Sequence, residues 1–200
     1  MMTEALFSRC IALFDDANRQ DPNTELCNGE PVPKELLYAQ RMSKALLAFA
    51  PNASFALQLA ARAQHIERWT SPRSNYPEGR TGYKQWRAEL LLYHARRAGE
   101  LMAQAGADGD EIARVQYLIQ KRSMARDPET QCLEDVICLV FIEHYLADFA
   151  VKSGYDEAKL IDIIQKTWVK MSPRGQAAAL QLPLAAEVAA VIGKALAGAD

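Results

Sequence analysis

Apolar residues recur every three or four positions along most of the chain, which is the spacing of one face of an α-helix. The first such stretch runs from Thr3 to Asn18, and the second begins after Pro33 and stops before Pro51. Further helices are predicted over residues 54–69, 83–106, 108–122, 127–153 and 156–171, with a last helical stretch from 172 interrupted at 183. No alternation of apolar and polar residues is long enough to predict a strand. The pattern predicts an all-α protein of about seven to eight helices.

Two stretches between these helices are rich in turn-forming residues and are predicted to be loops. Residues 20–33 contain Asp-Pro-Asn, Asn-Gly and Pro-Val-Pro, and residues 71–82 contain two prolines and two glycines. Asp108 and Glu111 have the spacing of a capping box, and Gly106 suits the end of the preceding helix. These signals set the predicted boundaries of helices four and five.

The sixth predicted helix contains the run Val136 to Ile142, which places apolar side chains on every side of the helix and therefore predicts a central, buried position. Gln131, Glu134 and Asp135 lie just before this run. A buried carboxylate must find a cation, a metal or hydrogen-bond donors, because leaving it unpaired costs several kcal/mol. Two interpretations are open: a buried salt bridge to an arginine, or a functional pair of carboxylates.

Composition narrows the class of protein. A chain of 200 residues, half of them hydrophobic, suits a single domain over residues 1–200. A net charge of −2 argues against a general nucleic-acid coat, and no apolar run approaches the roughly 20 residues needed to span a membrane. The four cysteines form no CxxC pair and the N-terminus lacks a basic stretch, so a reduced, cytoplasmic protein is expected.

Positive charge is concentrated in one segment. From Arg62 to Arg97 there are eight basic residues against three acidic ones, a local balance of +5 in an acidic chain. Guanidinium groups bind phosphate or carboxylate and stack on aromatic rings, so the segment predicts an anionic small-molecule ligand. The alternative is that its arginines pair internally with Glu134, Asp135 and other acids. Its candidate ligand-binding residues are Arg68, Trp69, Arg73, Tyr76, Arg80, Tyr83, Trp86 and Arg87.

The third predicted helix carries a polar stripe that enters this basic segment. Gln58, Arg62, His65 and Trp69 lie within an arc of about 60° on a helix of 100° per residue, and Gln64 widens the stripe. A single histidine on a helix is usually structural, but His65 and His94, two of the three histidines, both belong to the segment, so a catalytic or ligand role is also considered for both. The candidate catalytic residues are therefore His65, His94, Glu134 and Asp135, while Arg62 and Gln64 join the ligand-binding set.

Five segments carry a resemblance to a known family: PKELLYAQRMS (33–43), LAARAQHIERW (59–69), PRS (72–74), GYKQWR (82–87) and LED (133–135). Together they resemble the domain-of-unknown-function family numbered 4202, over nearly the whole chain. A more distant similarity is to HD-domain metal phosphohydrolases, helical enzymes whose ligands follow the order His, His-Asp, Asp.

The HD resemblance implies a set of positions. Gln40 falls near the first His, Gln64-His65 at the His-Asp pair, Asp135 near the later Asp, and His94 where some members supply another His. Gln40, Gln64 and His65 depart from the ligand types of that family. Gln40 and its neighbour Arg41 are added to the candidate ligand-binding residues.

Two functions follow as hypotheses. In the first, His65, His94, Glu134 and Asp135 form a divalent-metal or general acid/base site, in which His65, His94 and Asp135 are the candidate metal ligands. The phosphate to be hydrolysed is then held by Arg68, Arg73, Arg80 and Arg87. In the second, an HD-like scaffold without a metal site binds an anionic metabolite or a partner protein and performs no chemistry. Nucleic-acid binding is a weaker third option, because no reader motif accompanies the basic segment. The amphipathic first and last helices leave a homo-oligomer open.

Overall fold

The computed structural model describes residues 2–197. Its α-helices are α1 (Glu4–Asn18), α2 (Lys34–Phe49), α3 (Phe55–Arg62), α4 (Gly79–Ala105), α5 (Gly109–Ile119), α6 (Pro128–His144), α7 (Leu146–Ser153), α8 (Glu157–Trp168), α9 (Pro173–Ala179) and α10 (Ala186–Ala197). Two short 3₁₀ helices, Arg68–Thr70 and Arg73–Asn75, lie between α3 and α4, and two strands, β1 (Thr24–Cys27) and β2 (Glu30–Pro33), precede α2. The predicted helical class is confirmed, with a small β-hairpin added.

Several helix ends form where side chains can bond the free backbone groups of a terminal turn. Thr3 Oγ1 accepts from Leu6 N at 3.2 Å at the start of α1. Asp108 and Glu111 form the predicted capping box of α5. Gly106 has a φ of 95°, a left-handed conformation that glycine adopts at little cost, and it ends α4 as predicted.

The structure differs from the predicted secondary structure at four places. Residues 24–33 form an antiparallel hairpin in which Cys27 pairs with Glu30. Asn28 and Gly29 both have positive φ there, as the tight hairpin turns require. The third helix ends at Arg62 rather than near Trp69, and α4 begins at Gly79, inside the predicted loop. The sixth helix is broken at Tyr145 into α6 and α7.

The chain divides into two compact units, and the boundary between Thr130 and Gln131 falls near the start of α6. In unit 1, residues 1–130, α4 packs on α5 and α1, while α3 packs on α5, α2 and α1. The largest fully buried side chains of unit 1 are Phe14, Met42, Leu46, Leu59, Ile66, Leu90, His94, Met102, Val115, Leu118 and Ile119. The prediction of a single domain stays a prediction.

Unit 2, residues 131–200, contains most of α6 and the helices that follow, with α10 packed on α8. None of the side chains from Val136 to Ile142 is exposed, which confirms the predicted burial of this run. A Cβ atom added at Gly175 would lie 2.6 Å from Asp135 Cγ, so the start of α9 approaches α6 too closely for any side chain there. Among residues 2–197, no helix is both long enough and apolar enough to cross a membrane.

Candidate functional site

The candidate site of unit 1 is built around the turn that follows α3, residues 63–67. The turn ends at Glu67, which has a φ of 51°, in the left-handed region that a residue with a side chain adopts at a cost. Its backbone N–H donates to Asn18 Oδ1 at 2.9 Å, and Asn18 is fully buried on α1. This bond holds the strained turn in place and with it His65 and Arg68.

The Glu67 side chain adds three charge-assisted hydrogen bonds. Arg97 Nε and Nη2 each donate to its carboxylate at 2.9 Å, and the Tyr93 hydroxyl donates at 2.7 Å. Desolvation opposes ionisation of Glu67, but the bonds from Arg97 and Tyr93 outweigh it and lower the pKa of the carboxyl group. The turn is therefore fixed to α4 by a satisfied ion pair.

His65 lies between α2 and the first 3₁₀ helix. Its ring stacks on Tyr38 with centroids 4.0 Å apart and planes at 12°. Nε2 lies 2.9 Å from Arg68 Nη1, and Nδ1 lies 3.5 Å from Glu35 Oε2. Because a guanidinium group can only donate, Nε2 must accept and the ring proton belongs on Nδ1, facing Glu35. Glu35, His65 and Arg68 thus form a chain with the neutral imidazole in the middle.

The ionisation of these groups follows from burial. Burial lowers the pKa of His65 well below its usual value, and the charges of Arg68, Arg87 and Lys121 lower it further. Burial also raises the pKa of Glu35 to about 7, although Arg68 acts in the opposite direction. At neutral pH the imidazole of His65 is uncharged and Glu35 carries only part of a negative charge.

His94 on α4 lies behind His65, with ring centroids 5.9 Å apart. Its Nδ1 lies 2.8 Å from the Ile66 carbonyl oxygen, which can only accept, so Nδ1 carries the proton and Nε2 offers a lone pair. Burial lowers the pKa of His94 to about 3. Among residues 2–197, neither His94 Nε2 nor the buried Oε1 of Gln64 has a hydrogen-bond partner.

Two arginines complete the arrangement. The Arg68 guanidinium lies 4.8 Å over the Trp86 ring, and Trp86 Nε1 donates to the Ser71 carbonyl oxygen at 2.9 Å. Arg87, one residue further along α4, is half-buried. Burial lowers the pKa of Arg68, and the nearby positive charge of Arg87 also lowers it, so the two arginines act on each other. Within the described part of the chain, neither Arg68 nor Arg87 has a carboxylate within ion-pair distance. The side chains of Glu35, Tyr38, His65, Arg68, Arg87 and His94 are called the Glu35–His65 cluster.

Other predicted ligand-binding residues have internal partners. Arg62 binds Asp15 through two bonds of 2.7 Å and reaches Ser43 at 3.2 Å. Arg41 pairs with Glu25 of the hairpin. The remaining members form local contacts or are accessible to solvent: Arg73 donates to the Tyr76 and Pro77 carbonyls, Tyr76 donates to Glu89, Trp69 is half-buried, and Gln40, Arg80 and Tyr83 are exposed.

Glu134 and Asp135 lie in unit 2 and are both buried. Asp135 accepts from Ser172 N at 2.7 Å, Ser172 Oγ at 2.6 Å and Gln131 Nε2 at 3.1 Å, which fixes the start of α9. Their expected approach to His65 and His94 stays a prediction. Among residues 2–197, no group of three or more His, Cys, Asp and Glu side chains is arranged to hold a metal ion. The ligand set of His65, His94 and Asp135 stays a prediction.

Two glutamates that define the site, Glu35 and Glu67, are absent from the residues predicted from the sequence. A signal for Glu35 exists, because it lies four residues before Ala39 and seven before Met42, on the apolar face of the second helix. Glu67 gives no such signal, since its role depends on a positive φ and on Arg97, thirty positions later.

Comparison with known proteins supports the resemblance to the domain-of-unknown-function family and gives no match to HD-domain phosphohydrolases. No curated protein and no solved structure matches the chain. Residues 8–192 match one family model, which covers both units, the Glu35–His65 cluster and the Asp135 contacts. The chain therefore belongs to the family described as Domain of unknown function (DUF4202).

Proposed function

We propose that the Glu35–His65 cluster binds an anionic small molecule through a phosphate or carboxylate group. The observation that carries this proposal is the pair of half-buried arginines, Arg68 and Arg87, which have no carboxylate partner among the described residues. Holding two like charges together is unfavourable, and an anion between them removes that cost. Guanidinium groups also match the oxygen geometry of phosphate and carboxylate.

The surroundings of Arg68 prepare it for this role. One Nη atom is held by His65 Nε2 at 2.9 Å, and the guanidinium plane lies over Trp86. The side chain makes no other hydrogen bond within the described residues, so its remaining guanidinium N–H groups are available to a ligand. The His65 side chain is 19% exposed, which gives solvent access to this edge of the cluster.

The catalytic form of the proposal, a metal-dependent phosphohydrolase of the HD type, has less support. His94 Nε2 offers a lone pair, which suits a metal. His65 does not, because its Nε2 accepts from Arg68 and its Nδ1 carries a proton. The residues of the cluster therefore fit a metal poorly, and binding without metal chemistry is the form that we favour. Elemental analysis of the purified protein with a phosphatase panel tests the catalytic form directly.

The binding proposal is tested by thermal-shift screening with phosphorylated and carboxylated metabolites, followed by calorimetric titration of each hit. Arg68→Gln and Arg87→Gln should each weaken binding at least tenfold, because each removes one charge-assisted contact. Arg96→Gln is the matched control: Arg96 also lies on α4, but its side chain is exposed and pairs with Glu100. A silent screen, or an Arg68→Gln protein that binds as well as wild type, would overturn the proposal.

A further inference from the structure

The second proposal rests on the proposed function and concerns the identity of the anion. We propose that the Glu35–His65 cluster selects a dianionic phosphate group, and that Glu35 is a specificity-determining residue which takes up a proton when the dianion binds. The ligand class is then phosphate monoesters rather than monocarboxylates.

The geometry places Glu35 one imidazole ring away from the anion-binding arginine. Its side chain is 8% exposed, and its backbone N–H donates to Asp21 Oδ2 at 3.0 Å, which fixes the first turn of α2. Oε2 faces His65 Nδ1 at 3.5 Å, and His65 Nε2 faces Arg68 at 2.9 Å. A phosphate on Arg68 therefore lies close enough for its charge to act on the Glu35 carboxylate through a poorly solvated region.

The charges around Glu35 determine whether its carboxyl group is protonated when an anion binds. Arg68 and Lys34 favour the ionised carboxylate, while Asp21 and Glu25 oppose it. His65 is neutral and supplies no cation between them. When an anion occupies Arg68, the largest stabilising charge on Glu35 is neutralised, and burial then favours the carboxylic acid. With a pKa of about 7 in the free protein, Glu35 is about half protonated at pH 7, and loss of the Arg68 charge shifts this balance towards the acid.

Charge balance explains the preference for a dianion. With Glu35 protonated, Arg68 and Arg87 present two positive charges and the cluster presents no negative one. A phosphate monoester dianion matches two charges, whereas a carboxylate leaves one arginine unmatched. An ionised Glu35 would repel the phosphate across the His65 ring, whereas the neutral acid does not.

The test is a calorimetric titration with sodium sulfate, which remains a dianion throughout the range used, and with sodium acetate as the monoanion. For a group with a pKa of about 7, one linked proton predicts that sulfate affinity falls about tenfold between pH 6 and pH 8. Glu35→Gln, an uncharged mimic of the acid, should bind sulfate equally at both pH values. Glu30→Gln makes the same charge change at an exposed position of β2 and should behave like wild type.

The outcomes separate the two proposals. If wild type binds neither sulfate nor inorganic phosphate at any pH, the proposed function and this inference both fail. If sulfate binds equally at pH 6 and pH 8, or acetate binds as tightly as sulfate, only this inference fails. Should Glu35→Gln not fold, titration of wild type at pH 8 in buffers of different ionisation enthalpy measures proton uptake. About one proton per sulfate supports the inference, and no uptake overturns it.

Discussion

In unit 1, Arg97 lies near Glu67 and Arg68 lies near Glu35, but the two arginines contact their glutamates in different ways. Arg97 binds Glu67 directly through two bonds of 2.9 Å. Arg68 reaches Glu35 only through the ring of His65, with 2.9 Å on the arginine side and 3.5 Å on the glutamate side. Direct pairing satisfies both charges, whereas the interposed imidazole leaves both groups incompletely paired.

The difference appears in the ionisation of the two glutamates. The hydrogen bonds from Arg97 and Tyr93 lower the pKa of Glu67 against its desolvation, while burial raises the pKa of Glu35 to about 7. A carboxylate held ionised by a direct partner can stabilise a strained turn. A carboxyl group near its midpoint at neutral pH can exchange a proton, and its arginine can accept a ligand. The first arrangement therefore serves the fold, and the second is the one to which we assign the proposed anion binding.

The largest effect is expected at the direct pair. Glu67→Ala leaves Arg97 and the Tyr93 hydroxyl without their acceptor and should lower the free energy of unfolding by about 3 kcal/mol. Urea denaturation measures this loss. Glu100→Ala removes the exposed second partner of Arg97 and should cost less than about 1 kcal/mol. Equal losses in the two variants would show that the Glu67 bonds do not stabilise the turn.

Substitution of each arginine by glutamine tests the same comparison at the positively charged partner. Arg97→Gln leaves a partly buried Glu67 without its cation and should cost about 2 kcal/mol of unfolding free energy. Arg68→Gln, measured at pH 6 where Glu35 is largely protonated, should cost about 1 kcal/mol or less, mainly its contact with Trp86. If Arg68→Gln proves the more damaging, Arg68 is a structural residue and the binding proposal loses its basis.

The pH dependence of stability distinguishes the two glutamates. Folding raises the pKa of Glu35 from 4.5 to about 7, so its stabilising contribution is complete below about pH 4.5 and is lost as pH rises through about 7. Glu35→Gln has no such loss and should gain on the order of 2 kcal/mol relative to wild type between pH 5 and pH 8. Denaturation at both pH values measures the change, with Glu30→Gln as control. A constant difference would show that Glu35 does not titrate in this range.

The sequence predicted the helical scaffold well because helix caps and apolar spacing are local. The capping box at Asp108 and the stop at Gly106 need only a few residues to specify. The hairpin was missed because its strands are only four residues long and β2 contains two prolines, although Asn28-Gly29 is itself a hairpin signal. The early end of α3 depends on Glu67 and Asn18, which are far apart in sequence.

The candidate site could be located from the sequence only in outline. The basic segment drew attention to His65, Arg68 and His94, because unusual composition is visible without a fold. The structure brings these three side chains close together. Which arginines are satisfied was not predictable, since the partner of Arg62 is Asp15, 47 positions earlier. Ion pairs between residues that are distant in sequence produce no periodic pattern in the sequence. Only the tertiary contacts distinguish an arginine that is paired within the protein from one that can bind a ligand.

The smallest effect is expected when only the hydrogen bond from Tyr93 to Glu67 is removed. Tyr93→Phe removes the 2.7 Å hydrogen bond to Glu67 but leaves both bonds from Arg97, so it should cost about 1 kcal/mol of unfolding free energy. Tyr83→Phe makes the same chemical change at a 51% exposed residue of α4 and should cost only a few tenths of a kcal/mol. Chemical denaturation of both variants gives the difference. A Tyr93→Phe protein as stable as the Tyr83→Phe protein would mean that the two bonds from Arg97 are enough to stabilise the Glu67 carboxylate. The difference in ionisation between Glu67 and Glu35 would then result from direct pairing with one guanidinium group.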